Sequence, residues 1–239
     1  MAQPSPDASS LPAARLGTRI GDRSAVIGIV GLGYVGLPLM LAATAAGYRV
    51  QGFDIDPDRV LELSQGKSPL AHIGDAAIAA AVASGRFSAT ADYARAAQAD
   101  ALLVCVPTPL GRHREPDLSY VEGTVRGLAP HLRPGQLLVL ESTTWPGTTR
   151  QVVRPIVEAA GLVPERDVFL AYSPEREHPG DAQWRTGNIP KVVGGDGELA
   201  LDLACRLYGS IVDRVVPVAS TDTAEAVKLV ENIFRAVNI

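Results

Sequence analysis

The sequence predicts an α/β protein: a doubly wound parallel sheet followed by the start of a long helix. Short apolar runs alternate with helical patterns along most of the chain, as crossovers between parallel strands require. The runs, such as ALLVCV at 101–106, are apolar throughout, the pattern of strands buried on both faces.

Taken in order, residues 1–22 are rich in Pro, Ala and Ser, lack a secretory apolar core and read as a flexible tail. The first strand, Ala25–Val30, ends at the loop GLGYVG, and a helix near 35–47 follows. Arg49–Asp54 is the second strand, with helices expected near 57–65 and 74–84. Strands at Ala101–Val106, Gln136–Leu140 and Val168–Tyr172 are separated by helices near 117–130 and 148–159. A helix near 197–208 precedes the last strand, Val215–Val218. The final helix, 221–239, has a candidate cap at Thr221 or Asp222 and no stop signal, so the chain reads as truncated within it. On it Ala226, Val230, Ile233, Phe234 and Val237 share an apolar face, and Glu225, Lys228, Asn232 and Arg235 share another. The organisation is therefore a tail over 1–22, one domain over 23–219 and the first part of a long helix over 220–239.

Composition narrows the function. With 46% hydrophobic residues in 239, the chain buries a sizeable core without staples. A net charge of −4 argues against a general nucleic-acid binder. No apolar run approaches a membrane span, and a cytoplasmic protein is expected. Cys105 and Cys205 make neither a disulfide framework nor a metal set, and the four histidines have no ligand spacing, so no metal is expected.

The loop GLGYVG carries the first functional signal. A strand precedes it, a helix follows, and an acidic residue closes the next strand, the context of a Rossmann-like dinucleotide site. Gly31 allows the tight turn, Gly33 lets backbone approach a pyrophosphate, and Gly36 lets helix pack on strand. Unpaired N–H groups at the helix start face the anion. Asp54 lies 23 residues after Gly31, close to the spacing of about 20 expected for the carboxylate on the adenosine ribose. It would repel a 2′-phosphate, which favours NAD over NADP; FAD would use the same loop. Arg59 either lies along the adenosine or belongs to a solvated helix start.

Ligands of open parallel sheets bind beyond the carboxyl ends of the strands. There this chain has VPTPL with Thr108, ESTTWPGTT with Glu141, Ser142 and Thr143, and AYSPEREHPGD with Glu175 and Arg176. Such residues are also ordinary turn formers. Lys228 and Asn232, four apart, project from one helix face. They suit stabilisation of a developing alkoxide, or simply form a solvated stripe.

Together GLGYVGLP, GFDID, VPTPL with REPDLSYV, ESTTWPGTT, YSPEREHPGD and AEAVKLVENIFRAVNI resemble the N-terminal part of the UDP-glucose/GDP-mannose dehydrogenase family over about 24–239. The resemblance implies oxidation of the C6 alcohol of a UDP-sugar to a carboxylate with two NAD. It places Gly31, Gly33, Tyr34, Val35, Gly36, Asp54 and Arg59 at the cofactor, with Pro107, Thr108, Glu141, Ser142 and Thr143 in loops touching the cofactor and a water. It makes Thr143 and Glu175 the water-handling pair and Lys228 and Asn232 the helix pair near C6. The ERxxPG pattern at 175–180 resembles members acting on UDP-N-acetylhexosamines, UDP-N-acetylglucosamine especially, with UDP-glucose as the alternative. It sets Arg176, Arg235 and Asn238 toward the sugar nucleotide. The family's cysteine nucleophile and UDP-binding domain lie beyond this chain, and Cys105 and Cys205 read as structural thiols. The fragment alone is thus expected to bind NAD without completing the reaction, and the full protein to be a homodimer serving surface polysaccharide synthesis. A β-hydroxyacid dehydrogenase and a non-catalytic NAD-binding module are the competing readings.

Overall fold

The computed structural model describes residues 10–109, 116–175 and 190–239. Its strands form one sheet, β1 (Val26–Val30), β2 (Arg49–Phe53), β3 (Phe87–Thr90), β4 (Ala101–Val104), β5 (Gln136–Leu140), β6 (Val168–Tyr172), β7 (Lys191–Gly195) and β8 (Val215–Val218). The spatial order is β3-β2-β1-β4-β5-β6-β7-β8. The order reverses between β1 and β4, so the crevice of the doubly wound sheet opens beyond their carboxyl ends.

The six expected strands are all present, and β3 and β7 are additional. FSAT is short and half-polar, and KVVGG opens on a lysine and closes on two glycines, so neither reads as a buried strand from composition. The sheet is doubly wound and mostly parallel as expected, with one departure. β7 runs antiparallel to β6, and β8 runs parallel to β7. The reversal matters for the site, because it brings the first residue of β7 to the edge where β1, β4, β5 and β6 end.

The helices are α1 (Ser10–Gly21), α2 (Gly36–Ala45), α3 (Pro57–Ser64), α4 (Asp75–Ala83), α5 (Ser119–Leu128), α6 (Arg154–Ala159), α7 (Glu198–Gly209) and α8 (Thr221–Asn238). One sheet face is covered by α1, α2, α4 and α7 through Leu16, Leu37, Met40, Ile78 and Leu203. The other is covered by α5, α6 and α8 through Val121, Val125, Ile156, Val157 and Ala224. A single π-helical turn, Thr149–Val153, precedes α6.

The flexible tail expected over 1–22 is corrected from residue 10 onward. Ala13, Leu16 and Ile20 recur at helical spacing on α1 and are 7%, 2% and 1% exposed. Arg19 Nη1 bonds Asp100 Oδ1 at 2.7 Å, and the second Asp100 oxygen accepts from Val26 N at 2.8 Å. The Pro/Ala/Ser content hid this short apolar stripe.

The cap of α8 is Ser220, one residue before Thr221 and two before Asp222. Ser220 is extended, and its hydroxyl accepts from Thr223 N at 3.1 Å. The orientation of α8 inverts the usual reading of an amphipathic helix. Its first turns bury Ala224 and Glu225 against the domain, while Val230, Ile233, Phe234 and Val237 are 62%, 54%, 70% and 80% exposed.

Candidate functional site

A cleft of about 480 Å³ lies at the switch point. Its floor at one end is the loop after β1. Gly31 has φ +94°, open to glycine alone without strain, and its N–H donates to Phe53 O at 2.7 Å. A Cβ on Gly36 would stand 1.9 Å from Gly31 O, so this glycine lets α2 press against the loop and does not line the cleft. A Cβ on Gly33 would meet nothing within 4 Å. Since Gly33 lines the cleft, that open space is the cradle a pyrophosphate would fill. Tyr34 and Val35 complete this wall, with the Tyr34 ring 4.6 Å from that of His72.

Asp54 directly follows β2 in the same wall and is 6% exposed. Oδ2 accepts from Leu32 N at 2.9 Å and from Arg59 Nη1 at 3.1 Å, and Oδ1 accepts from Asp56 N at 3.0 Å. Asp56 in turn caps α3 by accepting from Asp58 N and Arg59 N, with Pro57 in the first turn. This sets Arg59 beside Asp54, with its side chain 33% exposed. Arg59 Nε is buried and has no partner, while a carboxylate oxygen with one donor keeps lone-pair capacity. An orphaned donor and a spare acceptor at one end of a cleft suit the adenosine ribose of a dinucleotide. NAD therefore fits these residues, and Gly31, Gly33, Asp54 and Arg59 would hold it.

The other end is built from the loops after β4, β5 and β6. Pro107 and Thr108 line it, as do Glu141, Ser142 and Thr143. Ser142 is 4% exposed and its hydroxyl donates to Val106 O at 2.7 Å, while its carbonyl accepts from Tyr172 Oη at 3.1 Å. These bonds tie the two loops together and leave the Thr143 side chain outward. Glu175 lines the cleft from the end of β6, and Lys228 reaches it from α8. Burial pulls the Lys228 ammonium below its ordinary range, opposed by the Glu175 carboxylate.

Not every expected residue converges. Asn232 and Arg235 lie on exposed turns of α8 beyond Lys228 and do not line the cleft, and Asn238 bonds Phe234 O within its own helix. Arg176 falls outside the described residues. Cys105 is a 7% exposed free thiol, raised well above its ordinary range by burial and then by Glu141, as the structural reading expected.

Sequence reasoning missed the group beneath Glu175. Lys191, the first residue of β7, is 5% exposed, and its Nζ lies 2.5 Å from Glu141 Oε2 and 3.5 Å from Glu175 Oε2. Tyr208 Oη on α7 donates to Glu141 Oε1. Burial raises the Glu141 carboxyl, with Lys191 opposing. Burial alone would pull Lys191 down, but Glu141 and Glu175 together push it up. The signal was present: LVLE and KVVGG each set one charge against a buried apolar run, and a buried charge requires a partner. Glu225 was also missed. It is fully buried and accepts from Gly147 N at 2.5 Å, Thr149 N at 2.8 Å and Thr149 Oγ1 at 2.7 Å, fastening α8 to the loop after Thr143. Among the described residues no group of His, Cys, Asp and Glu gathers as a metal set, and no helix is long and apolar enough to cross a membrane.

Comparison with known proteins places this geometry. The NAD-binding-domain model of the UDP-glucose/GDP-mannose dehydrogenase family matches residues 25–212. A UDP-N-acetyl-D-mannosamine dehydrogenase of Pyrococcus horikoshii is 35% identical over 217 residues, 89% of this chain and 51% of that protein. A UDP-N-acetyl-D-glucosamine 6-dehydrogenase of Pseudomonas aeruginosa is 36% identical over 217 residues, 89% of this chain and 50% of that protein. Among solved structures, a ternary complex of GDP-mannose dehydrogenase from Pseudomonas aeruginosa superposes with TM-score 0.83 at 29% identity, covering 89% of this chain and 50% of that one. The chain spans about half the length of the curated relatives it matches.

Proposed function

The chain belongs to the UDP-glucose/GDP-mannose dehydrogenase family and binds NAD, and from that premise we propose that it is the cofactor-binding part of a UDP-N-acetylhexosamine 6-dehydrogenase. The observation that carries the proposal is a single cleft with the dinucleotide cradle at one end and Glu175 with Lys228 at the other. NAD, when bound, supplies the hydride acceptor. The glycine loop and the start of α2 hold its pyrophosphate, and Asp54 with Arg59 orients its adenosine. Lys228 faces the oxygen of the C6 alcohol and stabilises the negative charge that develops there. Thr143 orients a water and Glu175 accepts its proton in the closing hydrolysis. Asn232 and Arg235, one and two turns further along α8, extend this surface toward the sugar nucleotide.

The ERxxPG run at 175–180 and relatives named for N-acetylated sugars support an acetylated substrate over UDP-glucose. In this reading Arg176 contacts the substrate, the protein works in the cytoplasm, and the exposed apolar face of α8 supports self-association. The test is NADH formation by the gene product that carries this chain, with UDP-N-acetylglucosamine, UDP-N-acetylmannosamine and UDP-glucose separately. Two NADH per molecule of one acetylated sugar is the expected result. Turnover of UDP-glucose alone overturns the sugar assignment, and no NADH with any of the three overturns the reaction.

A further inference from the structure

The charges under the cleft form a chain that the proposed reaction leaves unexplained. Lys191 has three N–H donors and three acceptors around it: Glu141 Oε2 at 2.5 Å, Pro174 O at 3.4 Å and Glu175 Oε2 at 3.5 Å. Its partner Glu141 is fully buried, with one oxygen on Lys191 and the other on Tyr208. Lys191 also stands over the Tyr208 ring, 5.2 Å from its centroid. Glu175 is the outer member, with its side chain 12% exposed and lining the cleft. A strand parallel to the rest would have put Lys191 at the opposite edge of the sheet. The antiparallel β7 sets it beside Glu175, two residues from where Ser173 Oγ donates to Val192 O at 2.8 Å.

We infer that Lys191 is a positioning residue for Glu175, a buried ammonium divided between two carboxylates that holds the Glu175 carboxylate in the cleft wall as an anion, and that Glu141 sets how much of its charge Glu175 receives. Among the described residues, the titratable groups facing Glu175 include Lys191 on β7, Glu141 just after β5, Cys105 after β4 and Lys228 on α8. Of the two cations, Lys228 reaches into the cleft where substrate would engage it, and Lys191 does not line the cleft. Lys191 is therefore the fixed member and Lys228 the one free to answer the reaction. The inference deepens the proposed role of Glu175 and rests on it for its functional meaning, while the arrangement of charge is testable without turnover.

The test is the titration of the Glu175 side-chain carboxyl in this chain, read by ¹³C NMR with glutamate labelled at the carboxyl carbon and assigned by its disappearance in Glu175→Gln. In Glu141→Gln, Lys191 is left to Glu175 alone, and the Glu175 midpoint moves down. In the double variant Glu141→Gln/Lys191→Met the buried pair becomes neutral, a change folds tolerate, and the midpoint moves up, by roughly one pH unit or more. Opposite movements support the inference. Midpoints that stay together, or move the same way, overturn it, because a pair serving packing alone has no reason to split them. If the midpoints split as expected while Glu175→Gln leaves NADH formation by the gene product intact, the charge arrangement stands and the proposed role of Glu175 falls.

Discussion

Gly33 and Gly36 lie in one loop, yet a methyl group added to each meets different surroundings. At Gly33 it enters the open cleft, and at Gly36 it collides with Gly31 O at 1.9 Å. The first change should touch only the ligand, and the second the fold. Gly33→Ala is expected to keep its melting temperature and to weaken NAD about 10- to 100-fold, the loss of one or two charge-assisted contacts to pyrophosphate. Gly36→Ala is expected to lose about 3 kcal/mol of stability, since α2 must move off the loop. Calorimetric NAD titration beside a denaturant melt separates the two, and a stable Gly36→Ala or an unaffected Gly33→Ala would contradict this assignment of roles.

Helix α8 is placed by Glu225 more than by its apolar face, most of which points away from the domain. Because Lys228 is the next residue on the same side, whatever holds Glu225 also holds Lys228 against the loop carrying Thr143. Glu225→Gln turns an NH2 group toward donors that face both carboxyl oxygens, leaving at least one buried donor unpaired at about 1.5–3 kcal/mol. That corresponds to a melting temperature lower by roughly 3–10 °C. Burial raises the Glu225 carboxyl above its ordinary value of 4.5, with the donors at Thr149 and Gly147 pulling it back. An acid with a higher pKa folded than unfolded binds its proton more tightly in the fold, so its contribution is greatest at low pH. It is lost as pH rises through the unfolded value toward the folded one. The advantage of wild type over Glu225→Gln should therefore be largest near pH 4 and shrink toward pH 7, about the window where a raised glutamate titrates. Melts of the two proteins in matched buffers cancel the other carboxylates, and a gap that widens with pH would mean that the three donors outweigh burial and hold Glu225 below its ordinary range. Helix α8 was legible as an element from its periodicity, but not which face it buries. Periodicity reports that two faces differ, and here a single hydrogen-bonded glutamate outweighs the apolar stripe in deciding the contact.

Across the whole molecule, what was legible followed from local rules. Continuous apolar runs revealed six strands, and glycine spacing with Asp54 picked out residues that line one end of the cleft. What was not legible depends on pairing between distant segments: the reversal of β7, the Lys191–Glu141 pair it creates, and the docking of α1. Helix α1 lies outside the matched family region at 25–212 yet buries Leu16 in the same core as β1 and α7. Leu16→Ala should cost about 2–5 kcal/mol, as for any buried leucine, and a melt unchanged by it would return this segment to a tail. The cofactor acts on the whole fold as well, because the cradle joins β1, β2 and α2 and exists only when they are assembled. NAD at about 100 times its Kd should stabilise by about 2.7 kcal/mol, a rise in melting temperature of roughly 5–10 °C. NADP places a phosphate against Asp54, whose carboxylate is pinned by Leu32 N and Asp56 N and cannot turn away. Two such charges about 4 Å apart repel by roughly 1 kcal/mol in water and about 4 kcal/mol near a protein surface. Arg59 softens that repulsion without removing it, since its guanidinium is already bonded to the same carboxylate. At equal concentration NADP should therefore raise the melting temperature by only a small fraction of the NAD shift. A larger shift with NADP would mean that Arg59 leaves Asp54 to take the phosphate, and that the carboxylate does not select the cofactor.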